Sequence, residues 1–198
     1  MYAKVVNILM KLALLGLVLH AIFLNELTQY RQKAFGIRIV SYPIVASLSF
    51  IIYYLFLKRK KVAYPIIADL CLTLVVLADF AGNTLNLYDS ISWWDDVMHF
   101  LISIPWVIVA GLILRKYIKN KHVIFGLVVG YGSVTHVLWE VFEYLSFVRS
   151  NSVESITAYK DTIGDLAMSL GGSIVGAVIV AYLVREKAKK AKMTRFDK

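Results

Sequence analysis

Cysteine, proline and charged side chains are all scarce in this sequence. Its 198 residues include one cysteine and three prolines, and 18% of them are charged, against 59% that are hydrophobic. A single cysteine, Cys71, excludes an intrachain disulfide and a metal site built on several thiolates. A soluble domain of this length carries more charge and shorter apolar runs, so the composition excludes that class.

Long apolar stretches dominate the chain instead. The mean hydropathy is +0.68, and stretches of about 18 residues or more, enough to cross a hydrocarbon core roughly 30 Å thick, recur. Because backbone groups in lipid must be hydrogen-bonded within the chain, each predicted span is a helix. We predict one integral membrane domain over residues 1–198, an all-α bundle of six transmembrane helices at residues 5–24, 39–57, 62–80, 96–114, 123–147 and 162–184.

The net charge of +9 is distributed in a way that indicates membrane orientation. If the spans alternate in direction, 17 of the 22 lysines and arginines lie on one face, together with both termini. The positive-inside rule then predicts cytoplasmic termini, in a bacterial inner or plasma membrane. We expect membrane lipid as a partner, with some attraction to anionic lipid, and no nucleic acid. The oligomeric state is not indicated.

The first span has features of a signal peptide. Residues 1–23 combine a charged start with a short apolar stretch, but no A-x-A-like cleavage site follows. We predict that the span is retained and that Lys11, which interrupts it, extends toward the cytoplasmic interface. Asp69, in the third span, is predicted to pair with a polar group of a neighbouring helix.

Ionisable residues gather at the predicted outer ends of the last three spans, in "WWDDVMHF", "HVLWEVFEY" and "KDTIGDL". Within each segment they are three or four residues apart, so they share a helix face. Asp95, Asp96 and Asp161 could equally cap helices. Glu140, however, lies inside an apolar helix, where an ionised group costs roughly 2.5–3.5 kcal/mol and therefore implies a partner or a function. The predicted metal ligands are Asp96, His99, His136, Glu140, Glu143, Asp161 and Asp165.

Small residues and aromatic residues indicate how such a site would be shaped. Two small-xxx-small pairs would let helices approach closely and leave an outward-facing cavity above them. Aromatic side chains at the same end are typical of an interfacial belt, although they could also stack on a ligand. The glycine pairs are Gly126 with Gly130 and Gly172 with Gly176; the belt residues are Tyr88, Trp93 and Trp94; Asp79 and Asn83 are predicted to support the ligands.

Three motifs in order resemble the YjdF-like family of small bacterial inner-membrane proteins. They are "DDVMHF", "WEVFEY" and "DTIGDLAMSLGGSIVGA", and the resemblance covers residues 93–177. The first three spans match that family only in hydropathy. The resemblance implies that its Asp-x-x-His-Phe, Glu-x-x-Glu and Asp-Thr…Asp motifs correspond to Asp96, His99, Glu140, Glu143, Asp161 and Asp165. It implies no established activity.

Asp, Glu and His together suit Zn, Mn, Mg or Fe. Such an ion could activate water or polarise a phosphoryl oxygen, with a spare carboxylate as general base, on a lipid or lipid-linked phosphate. Two other classes remain open. A proton- or cation-coupled transporter would use the same residues as a relay. A non-catalytic accessory protein would use them to fix the bundle or dock a partner.

Overall fold

The computed structural model describes residues 2–24, 30, 35–146, 148–150 and 152–196, with side chains except at 150, 152–156 and 187–196. Within these ranges the chain is helical and contains no strand. The helices are α1 Tyr2–Phe23, α2 Phe35–Ile52, α3 Ile66–Thr84, α4 Leu87–Ser90, α5 Trp94–Leu114, α6 Lys121–Ser146 and α7 Ser152–Phe196. A π-helical turn, Tyr53–Leu57, and a 3-10 turn, Lys58–Lys60, extend α2.

Six of these helices are long and apolar enough to cross a membrane, which confirms the predicted number of spans. They are Tyr2–Phe23, Phe35–Lys60, Ile66–Thr84, Trp94–Leu114, Lys121–Ser146 and Thr157–Glu186. The predicted end of the fifth span, Phe147, lies outside the described residues. The protein is therefore a multi-pass helical membrane protein. Its orientation relative to the cytoplasm stays a prediction from the charge distribution.

The bundle has two ends of different character. At the basic end α2 finishes in Lys58–Lys60, and the loop between α5 and α6 runs from Arg115 to Lys121. At the acidic end α3 and α6 finish while α5 and α7 begin, and the ionisable residues of these helices meet there. These are the basic end and the acidic end of the bundle.

Two three-helix units make up the bundle. α3 packs against α1 and α2, α7 packs against α5 and α6, and α3 joins the units by packing against α5. Each unit has its own apolar core, because each helix buries one stripe against its neighbours. The first core contains Leu14, Val18, Tyr42, Ala46, Val76 and Phe80, and the second contains Val107, Ile124, Val128, Ala177, Val180 and Val184.

Glycines permit the closest helix contacts in the second unit. A Cβ atom at Gly172 would overlap the backbone carbonyl of Phe100, and one at Gly176 would overlap Val107, so the prediction for this pair is confirmed. The prediction for Gly126 and Gly130 is wrong, since nothing lies within 4 Å of a Cβ at either position. Both face away from the bundle, and Gly132 makes the close approach to α7 instead.

Alanine at two glycines is expected to change stability in opposite directions. Gly172→Ala should lower the free energy of unfolding by roughly 1–3 kcal/mol, because a backbone carbonyl cannot move aside as a side chain can. Gly130→Ala is the matched control, and it should raise stability by roughly 0.5–1 kcal/mol through helix propensity alone. Unfolding in detergent with increasing dodecyl sulfate measures both. Equal effects would show that α5 and α7 are not packed at Gly172.

A buried polar network ties α1 to α3 near the basic end. Lys11 Nζ lies 2.9 Å from Asp69 Oδ1, and Asn7 Nδ2 donates to Asp69 Oδ2 at 2.5 Å. Tyr64 also donates to Oδ2, at 2.6 Å. The ammonium group of Lys11 binds Asp69, which lies in the first turn of α3 and is 1% exposed; the extension of Lys11 to the membrane interface stays a prediction. The predicted polar partner of Asp69 is confirmed.

Candidate functional site

His99 lies at the centre of the cluster, in the second turn of α5, where α5 meets α7. Asp95, one turn earlier, places Oδ1 3.5 Å from His99 Nε2. Asp165 of α7 places its Oδ1 3.8 Å from the same nitrogen. One donor atom from each of the three residues lies within 4.8 Å of the other two. Two helices thus bring two carboxylates to one nitrogen.

The other ring nitrogen of His99 faces different groups. Nδ1 lies 3.1 Å from the hydroxyl of Ser169, one turn after Asp165 on α7. Glu140 Oε1, from α6, lies 3.8 Å from Nδ1, beyond hydrogen-bonding distance. When Nδ1 carries the proton and donates it to Ser169, Nε2 has a free electron pair directed at Asp95 and Asp165.

Glu143 is held by Arg38 of α2, a residue that sequence reasoning counted only as an orientation charge. Arg38 is 5% exposed. Its Nη2 lies 3.2 Å from Glu143 Oε1, and its Nη1 lies 2.7 Å from Asp79 Oδ2. The guanidinium also lies over the Trp139 ring, 5.5 Å from its centroid. One cation therefore connects α2, α3 and α6.

Asp79 is the acceptor at the centre of this network. Tyr42 donates to Oδ2 at 2.5 Å, and Tyr88 donates to Oδ1 at 2.8 Å. Burial and the neighbouring Asp79 raise the pKa of Tyr88 well above its ordinary value, so its hydroxyl remains a donor. Asn83 donates to the backbone carbonyl of Asp79. The two predicted supporting residues thus belong to the Arg38 network.

His136, predicted as a ligand, uses both ring nitrogens inside the bundle. Nδ1 lies 2.7 Å from the Gly132 carbonyl oxygen, and Nε2 lies 2.8 Å from Ser103 Oγ. The Ser103 hydroxyl also lies within hydrogen-bonding distance of the backbone carbonyl of His99, and its single proton can serve only one of these two acceptors at a time. His136 is 8% exposed. It therefore supports the turn of α5 that carries His99, and it offers no free nitrogen to a ligand in this arrangement.

Among the described residues, Asp96 and Asp161 belong to neither group of possible ligands around His99, although Asp161 interacts electrostatically with Asp95, Glu140 and Asp165. Asp96 Oδ1 points toward α7, where a Cβ atom added to Gly164 would lie 3.0 Å away. Asp161 is exposed and lines the neighbouring cavity. Asp95, which the sequence allowed as a helix cap, makes the approach to His99 instead, and α5 has no side-chain cap at Trp93. Adjacent residues on a helix point about 100° apart, so either Asp95 or Asp96 could face His99.

Aromatic residues at the acidic end divide into two groups. Trp93 is 56% exposed, as a membrane-interface residue would be. Trp94 and Tyr88 pack against Gly82, where an added Cβ atom would lie 2.8 Å from each ring. Tyr88 and Trp94 are half-buried, and their place in an interfacial belt stays a prediction.

A cavity of about 410 Å³ opens beside His99 at the acidic end. Its floor is apolar, formed by Val45, Val75, Val76 and Ile102, and Trp106 and Trp139 stand in its wall. Its charged lining is Arg38, Asp79, Asp89, Asp95, Glu140, Glu143 and Asp161. The acidic and histidine cluster therefore faces a space large enough for a small molecule or a lipid head group.

Two carboxylate oxygens of the cluster are buried without a hydrogen-bond partner among the described residues. They are Glu140 Oε1 and Asp165 Oδ1. Glu140 is 8% exposed and Asp165 2% exposed. Buried polar atoms in folded proteins nearly always have a partner, so each such oxygen requires a specific explanation.

These features define the class of protein: a multi-pass helical membrane protein with a buried acidic and histidine cluster beside a cavity. The chain belongs to the family described as Predicted membrane protein (DUF2238), whose family model matches residues 9–186. The YjdF-like resemblance of residues 93–177 is thereby confirmed, and the match includes the first three helices as well. No curated protein and no solved structure matches the chain.

Proposed function

We propose that the protein binds a divalent cation through Asp95, His99 and Asp165 and presents it to a lipid or lipid-linked phosphate in the adjoining cavity. The charge distribution predicts that this cavity opens on the side of the membrane opposite the cytoplasm. Zn²⁺ and Mn²⁺ suit one imidazole and two carboxylates better than Mg²⁺, which prefers oxygen ligands.

The observation that carries this proposal is the carboxylate of Asp165. It is 2% exposed, and its Oδ1 has no hydrogen-bond partner among the described residues, yet it lies 3.8 Å from His99 Nε2. An uncompensated ionised carboxylate inside a membrane protein is strongly unfavourable. A cation between Asp165, Asp95 and Nε2 would compensate both carboxylates at once.

The spacing of the donor atoms supports an ion between them. With metal–nitrogen and metal–oxygen distances near 2.1 Å, two ligand atoms on a tetrahedral Zn²⁺ lie roughly 3.4 Å apart. The separations from His99 Nε2 are 3.5 Å to Asp95 and 3.8 Å to Asp165. Both exceed hydrogen-bonding distance, and small side-chain movements would close them around an ion. The Ser169 hydroxyl at Nδ1 is the outer partner that a metal-binding histidine ordinarily has.

A second triad on the opposite side of the imidazole is less suitable. His99, Glu140 and Glu143 also place donor atoms within 4.8 Å of one another. There, however, Nδ1 is occupied by Ser169, and Glu143 already has Arg38 as its cation. An ion at this position would have to displace both contacts.

The cavity supports a lipid or lipid-linked substrate. It lies within the membrane-spanning helices, with carboxylates and His99 in its wall and valine and isoleucine side chains at its floor. A bound divalent ion would supply Lewis acidity toward a phosphoryl oxygen or lower the pKa of a water molecule. Asp161, exposed in the same cavity, is placed to accept a proton.

Transport along the second unit receives less support from the packing. The polar residues between α5, α6 and α7 stop at Ser103, His136 and Ser173, about halfway along the helices. Beyond them toward the basic end lie Val107, Ile124, Val128, Ala177 and Val180, each 0% exposed. A proton or ion relay needs polar groups or water across the whole membrane, and this apolar core provides neither.

The metal content of the wild type and of variants at two neighbouring aspartates tests the proposal. Protein purified without chelator and dialysed against Zn²⁺ or Mn²⁺ is expected to bind one ion per chain. Asp95→Asn should lower the affinity at least 10-fold by removing a charged ligand. Asp96→Asn removes the same charge from the next position and should retain the ion. Absence of stoichiometric metal in the wild type, or equal losses in both variants, would contradict the proposed ligand set.

A further inference from the structure

We infer that the cavity receives the head group of an amine-bearing membrane phospholipid, with its ammonium group bound by Glu140. The inference rests on the proposed function for the phosphate end of the head group, which would face the ion at Asp95, His99 and Asp165. It specifies the substrate class within that proposal. Three observations carry it: the charge of the cavity, the contacts of Glu140, and the sparse packing between α2 and α6.

The charges around the cavity disfavour a wholly anionic ligand. Arg38 is the cation among the described lining residues, and it already lies between Asp79 and Glu143. Even with a divalent ion neutralising Asp95 and Asp165, the remaining carboxylates outnumber the cations. An acidic head group would be repelled, whereas a zwitterionic head group brings a positive charge with its phosphate.

Glu140 is the carboxylate placed to bind that positive charge. It lines the cavity and has a hydrogen bond with the Thr162 side chain, while its buried Oε1 has no hydrogen-bond partner among the described residues. The nearest ring nitrogen, His99 Nδ1, is 3.8 Å away and has Ser169 as its partner. A primary ammonium group has three N–H donors and would supply both the missing hydrogen bond and the missing charge. Trp139, beside Glu140, offers a π face that already attracts the guanidinium of Arg38.

The sparse packing between α2 and α6 favours a lipid over a soluble amine. α2 packs along α1 and α3, and α6 packs along α5 and α7. Across the cavity, the described residues connect α2 to α6 through Arg38, which pairs with Glu143 and lies over Trp139. A head group could enter through this side of the bundle while its acyl chain stays against the membrane-facing surface. The apolar floor of Val45, Val75 and Ile102 suits the first methylene groups of an acyl chain, whereas a small hydrophilic amine would make no favourable contact with it.

Thermal unfolding in neutral detergent, with three additives, tests the inference. Phosphatidylethanolamine is expected to raise the melting temperature of the metal-loaded wild type by roughly 5 °C. Phosphatidylglycerol and soluble phosphoethanolamine should each give much smaller shifts. Glu140→Gln should lose the phosphatidylethanolamine shift but keep its metal, because Glu140 is outside the proposed ligand set. Glu186→Gln, the same substitution near the basic end, should keep both.

Each alternative result has a distinct meaning. An equal or larger shift with phosphatidylglycerol would overturn the ammonium assignment, and this comparison needs only the wild type. An equal shift with phosphoethanolamine would contradict the assignment of the ligand as a lipid. An unchanged phosphatidylethanolamine shift in Glu140→Gln would contradict the assignment of Glu140 as the residue that binds the ammonium group. Metal content is measured on the same samples. Bound metal without lipid selectivity would contradict this inference alone, and lipid selectivity without metal would contradict the proposed function alone.

Discussion

Arg38→Gln is expected to lower the free energy of unfolding by roughly 3–5 kcal/mol, the cost of leaving buried charges without their partner. Arg38 is 5% exposed and lies between Asp79 and Glu143. Without the guanidinium, two carboxylates of the membrane-spanning region lose their cation. The tyrosines that donate to Asp79 supply hydrogen bonds but no charge. Glutamine retains much of the volume of arginine, so the effect reports the charge and its hydrogen bonds.

Unfolding of detergent-solubilised protein by dodecyl sulfate measures this effect, and Arg149→Gln is the matched control. Arg149 is exposed at the same end of the bundle, so its substitution should change stability by less than about 0.5 kcal/mol. Adding Asp79→Asn to Arg38→Gln should recover part of the loss, because it removes one of the unpaired charges. If Arg38→Gln is as stable as Arg149→Gln, Arg38 does not connect α2 with α3 and α6.

Lys11→Met is expected to be similarly destabilising, by roughly 3–5 kcal/mol. The substitution leaves Asp69, which is 1% exposed, without its cation in the interior of the first unit. Asn7 and Tyr64 would still donate to the carboxylate but could not neutralise it. Methionine suits the apolar surroundings of α1, so the loss would come from the ion pair and not from exposure of α1 itself.

Lys4→Met provides the comparison for this effect, because Lys4 is exposed on the same helix. It should leave the unfolding midpoint almost unchanged. In the double variant Lys11→Met/Asp69→Asn, both members of the pair are neutral and the amide can keep the hydrogen bond from Tyr64. Most of the stability should therefore return. A double variant no more stable than Lys11→Met alone would show that the lysine contributes through something other than Asp69.

The spans and the meeting of the ionisable residues could be predicted from sequence because both follow from alternation along the chain. The lengths of the apolar stretches predict six helices. Successive helices reverse direction, so the end of α6 must lie near the starts of α5 and α7. Spacing of three or four residues then places His99, Glu140 and Asp165 on inward faces. These are local or nearest-neighbour relations, which a single sequence contains.

The rotation of each helix could not be predicted, since close packing decides it. Asp95 and Asp96 are equivalent by composition and both lie about one turn before His99 on α5, so sequence spacing does not distinguish which carboxylate lies against the ring. The glycine pairs show the same ambiguity, because Gly126 and Gly130 have the required spacing yet face away from the bundle. A small-xxx-small pair indicates a possible contact face but not its partner.

Arg38 was missed because its partners are far away in sequence. Its ion pair with Glu143 joins residues 105 positions apart, between helices that are not neighbours in the chain. Counting basic residues for orientation treats such an arginine as part of a loop. A local signal was present nonetheless. Arg38 precedes Tyr42 by four residues at the start of an apolar run, so both share one face of α2, and a charge on that face requires a buried partner.

Pulsed electron paramagnetic resonance of the Mn²⁺-loaded protein tests the metal site most directly, because it detects nitrogen nuclei bonded to the ion. We predict coupling to one imidazole nitrogen in the wild type. The coupling should disappear in His99→Gln and persist in His136→Gln, since the ring nitrogens of His136 are hydrogen-bonded to Ser103 and Gly132. No nitrogen coupling in the wild type, or coupling that survives His99→Gln, would contradict the proposed site at Asp95, His99 and Asp165.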